Sequence, residues 1–232
     1  MPSIRKNPAT LDASNDAEPL VRRRMLPAQR EQQLVEGAIR FFSKHGLNAQ
    51  LRDLARELGI THTLLYHYFP TKQALLERVY KDIFEGRWRT EWELLLDDKT
   101  LDLPEKLTRF YVSYARVILE PEWVRVFVYS GLNDRFITDR YFALLREKLF
   151  PRIHRETLRY LGSRSRKPAN PREMERILGL HGSVFYMGMR RWVYGLSANV
   201  ETTDWAETDA TYIEDRVMAY IASLPTPHLE TV

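Results

Sequence analysis

The stretch RDLARELGITHTLLYHYFPTK, residues Arg52 to Lys72, decides how the chain is read. Leu51, Leu54, Ala55 and Leu58 recur at helical spacing, and Gly59 then permits the positive φ that lets a chain leave a helix sharply. Thr61 is placed to cap a second short helix running to Phe69, and beyond Pro70, Thr71 is placed to cap a longer one striped by Leu75, Leu76, Val79, Ile83 and Phe84. Two short helices joined by a glycine turn predict a helix-turn-helix, in which the second helix can enter a DNA major groove. At about 100° per residue, His62, Thr63, Tyr66 and His67 fall within an arc of roughly 140°, while Leu65 and Phe69 point the other way. The outward face is therefore polar and rich in hydrogen-bonding groups.

Other chemistries compete for these residues. His62 and His67 stand five apart rather than four, with no H-E-x-x-H pattern and no carboxylate cluster beside them, so the spacing does not suit a metal site. Tyr66 can be a packed aromatic and Lys72 a solvated lysine; the place of Lys72 in the first turn of a helix, where unpaired amide N–H groups gather, favours a phosphate instead.

Working outward, Pro27 suits a first helical turn, and Leu34, Ala38, Phe41 and Phe42 give a preceding helix that stops at Gly46. From Arg30 to about Val79 the chain resembles the DNA-binding domain of the tetracycline-repressor (TetR) family of bacterial regulators: the paired Phe41 and Phe42, Gly46, RDLARELGIT, then LLYHYFPTK followed by Leu75 and Leu76. The resemblance implies that Tyr66 and Lys72 hold DNA phosphates and that His62, Thr63 and His67 face base edges. One departure stands out: where the family commonly has a small residue followed by Thr or Ser, this chain has Thr63 and Leu64. Leu64 offers only apolar contact or inward packing, so operator sequence does not transfer from the family.

Charge is uneven. Residues 1–72 carry 11 Lys and Arg against 7 Asp and Glu, whereas residues 73–232 carry 24 of each. The whole excess of +4 lies at the N-terminal end, as expected of a body that meets a polyanion with one end. Residues 1–24 lack hydrophobic periodicity and read as a flexible basic arm ending in Arg22, Arg23 and Arg24, which can reach a DNA minor groove or only add nonspecific attraction. Residues 25–72 then form the DNA-binding domain and residues 73–232 a larger helical domain. The absence of cysteine excludes disulfides and thiolate metal sites. No metal site and no cofactor are assigned. With no apolar region behind the charged start and no stretch near eighteen apolar residues, the expected home is the cytoplasm, with no membrane contact.

The larger domain reads as helices throughout: Pro104 and Pro121 at helix starts, a helix from about Asp134 to Tyr160 that Pro151 should kink or divide, a basic loop GSRSRKPANP at Gly162 to Pro171, then helices at about Arg172 to Tyr194 and Thr208 to Leu224. No alternating strand pattern occurs, so the fold is predicted all-α. In the TetR family this part forms an effector-binding and dimerisation domain. A helix-turn-helix protein that reads two half-sites needs two subunits. The stripe Ile177, Leu180, Val184 and Met189 with Gly182 and Gly188, joined by Val217, Tyr220 and Ile221, fits a four-helix homodimer interface or an internal core. Trp123, Phe127, Tyr129, Phe136, Tyr141, Phe185 and Trp192 are expected to line a pocket for a small apolar or aromatic effector, with His181 and also Arg125, Asn133, Arg190 and Arg191 as candidate orienting groups. The expected function is thus a regulator, by family habit a repressor, released from a near-palindromic operator in double-stranded DNA. The competing classes are a helical enzyme and a protein-interaction protein; no Gly-rich phosphate loop, G-x-S-x-G elbow or thiol points to the former.

Overall fold

The computed structural model describes residues 26–196 and 205–225. Eleven helices and no strand occur among the described residues. Four form the N-terminal end: α1 (Pro27–His45), α2 (Leu51–Glu57), α3 (His62–Tyr68) and α4 (Lys72–Ile83). Pro27 occupies the first turn of α1, where its missing N–H costs nothing, and the Gln29 side chain accepts from Leu26 N at 3.2 Å. Gly59 at φ +63° makes the turn between α2 and α3, after which Ile60 N returns to Ala55 O at 3.0 Å. Phe41, Phe42, Leu54, Leu65, Phe69 and Leu75 close a common core beneath the four helices.

The rest of the chain comprises α5 (Thr90–Asp97), α6 (Leu103–Ile118), α7 (Pro121–Leu132), α8 (Phe136–Lys148), α9 (Phe150–Tyr160), α10 (Pro171–Trp192) and α11 (Trp205–Ala222). A short 3-10 turn at Glu85–Arg87 and α5 were not expected from the sequence; α5 is held by buried Trp92 and Leu96, with Trp92 Nε1 donating to Ser113 Oγ at 2.9 Å. The helix foreseen from Asp134 to Tyr160 is divided at Leu149, just before Pro151, whose ring and missing N–H prevent continuation. Helix α6 is central, packing on α5, α9, α10 and α11. It carries a buried Lys106 whose ammonium donates to Leu96 O at 3.1 Å and to Glu156 Oε2 at 2.6 Å, tying α5, α6 and α9 together.

Helices α10 and α7 cross closely at Gly188, where a Cβ would stand 2.8 Å from Val124 Cγ2 and 3.0 Å from Leu119 Cδ2. Ile177, Leu180, Val184, Val217 and Tyr220 are all buried within the chain, so the stripe weighed for a dimer serves the internal core. Of that set only Gly182 faces outward, and with it α10 and α11 expose Gly179 and Tyr186 on one and Met218, Ala219 and Ala222 on the other.

Candidate nucleic-acid interface

Thr61 Oγ1 accepts from Leu64 N at 3.2 Å and Thr71 Oγ1 from Ala74 N at 3.0 Å, so both caps read from the sequence start the helices that follow them. Helix α3 is pinned by a single fully buried side chain, Leu65, with Phe69 beneath its end. Everything polar on it consequently turns out: His62, Thr63, Tyr66 and His67 are exposed, and Leu64 and Tyr68 are half-buried at the edges. The His62 and Tyr66 rings meet edge-on at 4.4 Å, one turn apart, which orders the start of this face. His67 likewise sets its ring at 87° to that of Tyr68, with centroids 5.4 Å apart.

Beside this face lies an open concavity of about 410 Å³ lined by His62, Tyr66, Lys72, Asn48, Gln50 and Arg52. Lys72 is half-buried in the first turn of α4, and burial lowers its pKa, with the Asp134 carboxylate opposing that effect. The ammonium thus stands beside the exposed hydroxyl-bearing Tyr66 and the first amides of α4, a donor set suited to a phosphate. Asn48, Gln50 and Arg52 were missed in the sequence reading; the signal was Arg52, an exposed cation one residue into α2. Arg22, Arg23 and Arg24 lie outside the described residues.

The aromatic residues expected around an effector separate into groups. Trp123, Phe127, Tyr141 and Phe185 do converge, with Trp123 and Phe127 stacked at 5.0 Å and Phe185 edge-on to Phe127 at 5.2 Å, and Phe84 from the end of α4 joins them. His181 sits one layer away among Tyr111, Tyr114 and Phe150; burial depresses its pKa to about 4, and its Nδ1 has no hydrogen-bond partner. The other three stand apart. Tyr129 packs over Gly46 at the end of α1, Phe136 lies under the Arg140 guanidinium, and Trp192 Nε1 donates to Leu119 O at 2.5 Å. Of the orienting candidates, Arg125 donates to Trp192 O at 2.9 Å and Arg191 pairs with Asp209 at 2.7 Å. No group of three or more His, Asp or Glu able to hold a metal occurs among the described residues, and none of the described helices is long and apolar enough to cross a membrane.

An all-helical body behind a capped, outward-facing helix with a cation at the next helix start defines a helix-turn-helix protein. Residues 34–79 match the pattern described as "Bacterial regulatory proteins, tetR family". Over 110 residues, 47% of this chain, the sequence is 33% identical to the HTH-type transcriptional repressor KstR2 of Mycolicibacterium smegmatis. It is 29% identical over 134 residues, 54% of this chain, to the HTH-type transcriptional regulator BetI of Agrobacterium fabrum. These matches span 52% and 64% of the relatives' own lengths, so the chain covers about half of the first and under two thirds of the second. The fold is similar to that of a TetR-like regulator from Rhodococcus sp. RHA1, with TM-score 0.61 at 19% identity over 87% of this chain and 100% of the other. It is similar too to KstR2 of Mycobacterium tuberculosis, described as a ketosteroid transcriptional regulator, with TM-score 0.56 at 19% identity over 82% and 94%. Residues 34–79 are thus similar to the helix-turn-helix domain of the TetR family, and the described fold is similar to that of solved TetR-like regulators.

Proposed function

We propose that the chain is a cytoplasmic transcriptional regulator that binds a near-palindromic operator as a homodimer, placing one α3 per protomer in the major groove, and that a small apolar or aromatic effector releases it. The observation that carries this reading is the face of α3: four exposed polar side chains on a helix anchored by Leu65 alone, with Lys72 beside them. His62, Thr63 and His67 read base edges; Tyr66 and Lys72 hold phosphates, fixing register while the others choose sequence. Arg22, Arg23 and Arg24 add phosphate or minor-groove contacts from the arm. The match of residues 34–79 to the TetR-family pattern and relatives described as a repressor and a regulator support the same reading.

The dimer uses the outward strip of α10 and α11, where Gly179 and Gly182 meet nothing within 4 Å and allow close helix approach, with Tyr186 and Met218 half-exposed beside them. The effector acts on the aromatic cluster of Trp123, Phe127, Tyr141 and Phe185, which touches Phe84 at the end of α4 and so bears on the helix that begins at the phosphate site.

Selection of fragmented genomic DNA on the purified protein, followed by sequencing, tests the proposal. A recurring near-palindrome is the expected result. Recovery of unenriched fragments would overturn it.

A further inference from the structure

The basic loop at residues 162–171 has no part in the proposed DNA contact, yet it forms one wall of a largely apolar cavity of about 440 Å³ between α9, the loop and the start of α10. The cavity floor is Phe150, Leu158 and Met174, with Pro151 and Pro168 at its sides. Its polar lining is of one sign: Arg155, Arg166 and Lys167 line it, and no carboxylate does. Arg155 is engaged with Asp97, but Arg166 and Lys167 make no ion pair with any described residue. Buried His154 lines the same space, its Nε2 3.3 Å from Glu173 Oε2, which also accepts from Asn170 N at 2.7 Å in the cap of α10. The loop is a wall rather than a tail: Ser163 N bonds Leu158 O at 2.9 Å at one end, and Asn170 caps α10 by accepting from Arg172 N and Glu173 N at 3.0 Å at the other.

We infer that this cavity binds an apolar monocarboxylate, its hydrocarbon body on Phe150, Leu158 and Met174 and its carboxylate at Arg166 and Lys167. The size lies within the range of small-molecule sites, and such sites combine an apolar lining with a few polar groups that fix orientation, as here. A nucleic-acid phosphate would use the two cations but leave the apolar floor wet; a neutral hydrocarbon would use the floor but leave the cations without a role. An amphipathic anion uses both. The cavity shares no residue with the aromatic cluster of Trp123, Phe127, Tyr141 and Phe185, and its ligand is tested on the protein without DNA, so a failure here and a failure of the regulator reading are separable.

Isothermal titration of the full chain with decanoate and, separately, with decan-1-ol tests charge and hydrocarbon independently. Decanoate is expected to bind once per chain and about tenfold or more tighter than the alcohol, a difference of about 1.4 kcal/mol. The double variant Arg166→Gln, Lys167→Gln, on an exposed loop where folding is not at stake, is expected to weaken decanoate by about tenfold and leave the alcohol unchanged. Leu158→Trp, which fills the floor, should abolish binding of both. No heat from decanoate at millimolar concentration, equal affinity for acid and alcohol, or undiminished binding of decanoate by the loop variant would each overturn the assignment.

Discussion

Replacing Lys72 by Gln tests the phosphate role without disturbing the fold, because the Thr71 cap on Ala74 N and the buried Leu75 and Leu76 that seat α4 remain in place. Binding to DNA releases condensed counterions, and log K falls against log salt with a slope of about 0.9 for each phosphate neutralised. One Lys72 ammonium stands at the concavity, so the proposed dimer, losing one from each protomer, loses about 1.8 from the slope. Between 50 and 200 mM salt, a fourfold change, the native protein should then lose about twelvefold more affinity than the variant, four raised to the power of about 1.8. Fluorescence anisotropy with a labelled operator at four or five salt concentrations measures both lines. Relative affinities among operator variants should not change, since a phosphate contact positions without reading sequence. Parallel lines for the two proteins would remove Lys72 from the interface and with it the reading of the concavity.

His67→Ala should cost about 1 to 3 kcal/mol of discrimination between the preferred operator and a single-base variant, and an unchanged affinity ratio would place the ring outside base readout. Glu156→Ala leaves the Lys106 ammonium buried and uncompensated and should destabilise the protein by about 3 to 5 kcal/mol in urea, whereas Lys106→Met with Glu156→Leu should restore most of that loss; equal stability of single and double variants would show that the pair is not buried as described. His181, with its pKa depressed from 6.5 to about 4, is neutral when folded while the unfolded chain takes up a proton below pH 6.5, so its contribution is present above that pH and lost as pH falls toward 4. Between pH 7 and pH 5 the loss should be about 2 kcal/mol, and His181→Phe should flatten that part of the profile; an identical slope in the variant would refute the assignment.

The helix-turn-helix was legible because its determinants are local: a cap at Thr61, another at Thr71, a positive φ at Gly59, and apolar spacing that leaves one face of α3 free. The division of α8 from α9 was legible for a similar reason, one proline. Helix α5 was not, since eight residues make barely two turns and Trp92 and Leu96 alone supply its buried side. On α10 the reading failed in a more instructive way. Apolar periodicity finds the inward stripe; of the two glycines named with it Gly188 is buried against α7, whereas Gly182 faces outward beside Gly179, which carries no hydrophobic signal. The cavity at the basic loop was hidden because its floor and its cations come from different segments, and the loop by itself resembles any solvated turn.

The two ends of the molecule meet at one corner, and its chemistry limits what motion can reach α3. Arg78 donates to Glu31 at 3.3 Å, to Gln32 at 2.9 Å and to Asp82 at 2.9 Å, half-buried between α1 and α4, so these helices move together. Helix α7 packs along α1, with Tyr129 over Gly46, and the turn that follows brings Asp134 toward Lys72. That turn is itself fixed: Ser130 Oγ accepts from Ile137 N at 3.0 Å and Thr138 N at 3.3 Å, and Arg135 holds a left-handed φ of 60° that no other described non-glycine residue adopts. Helix α7 thus bears on the end of α1 and, through Asp134, on the start of α4, the two elements that flank the helix-turn-helix.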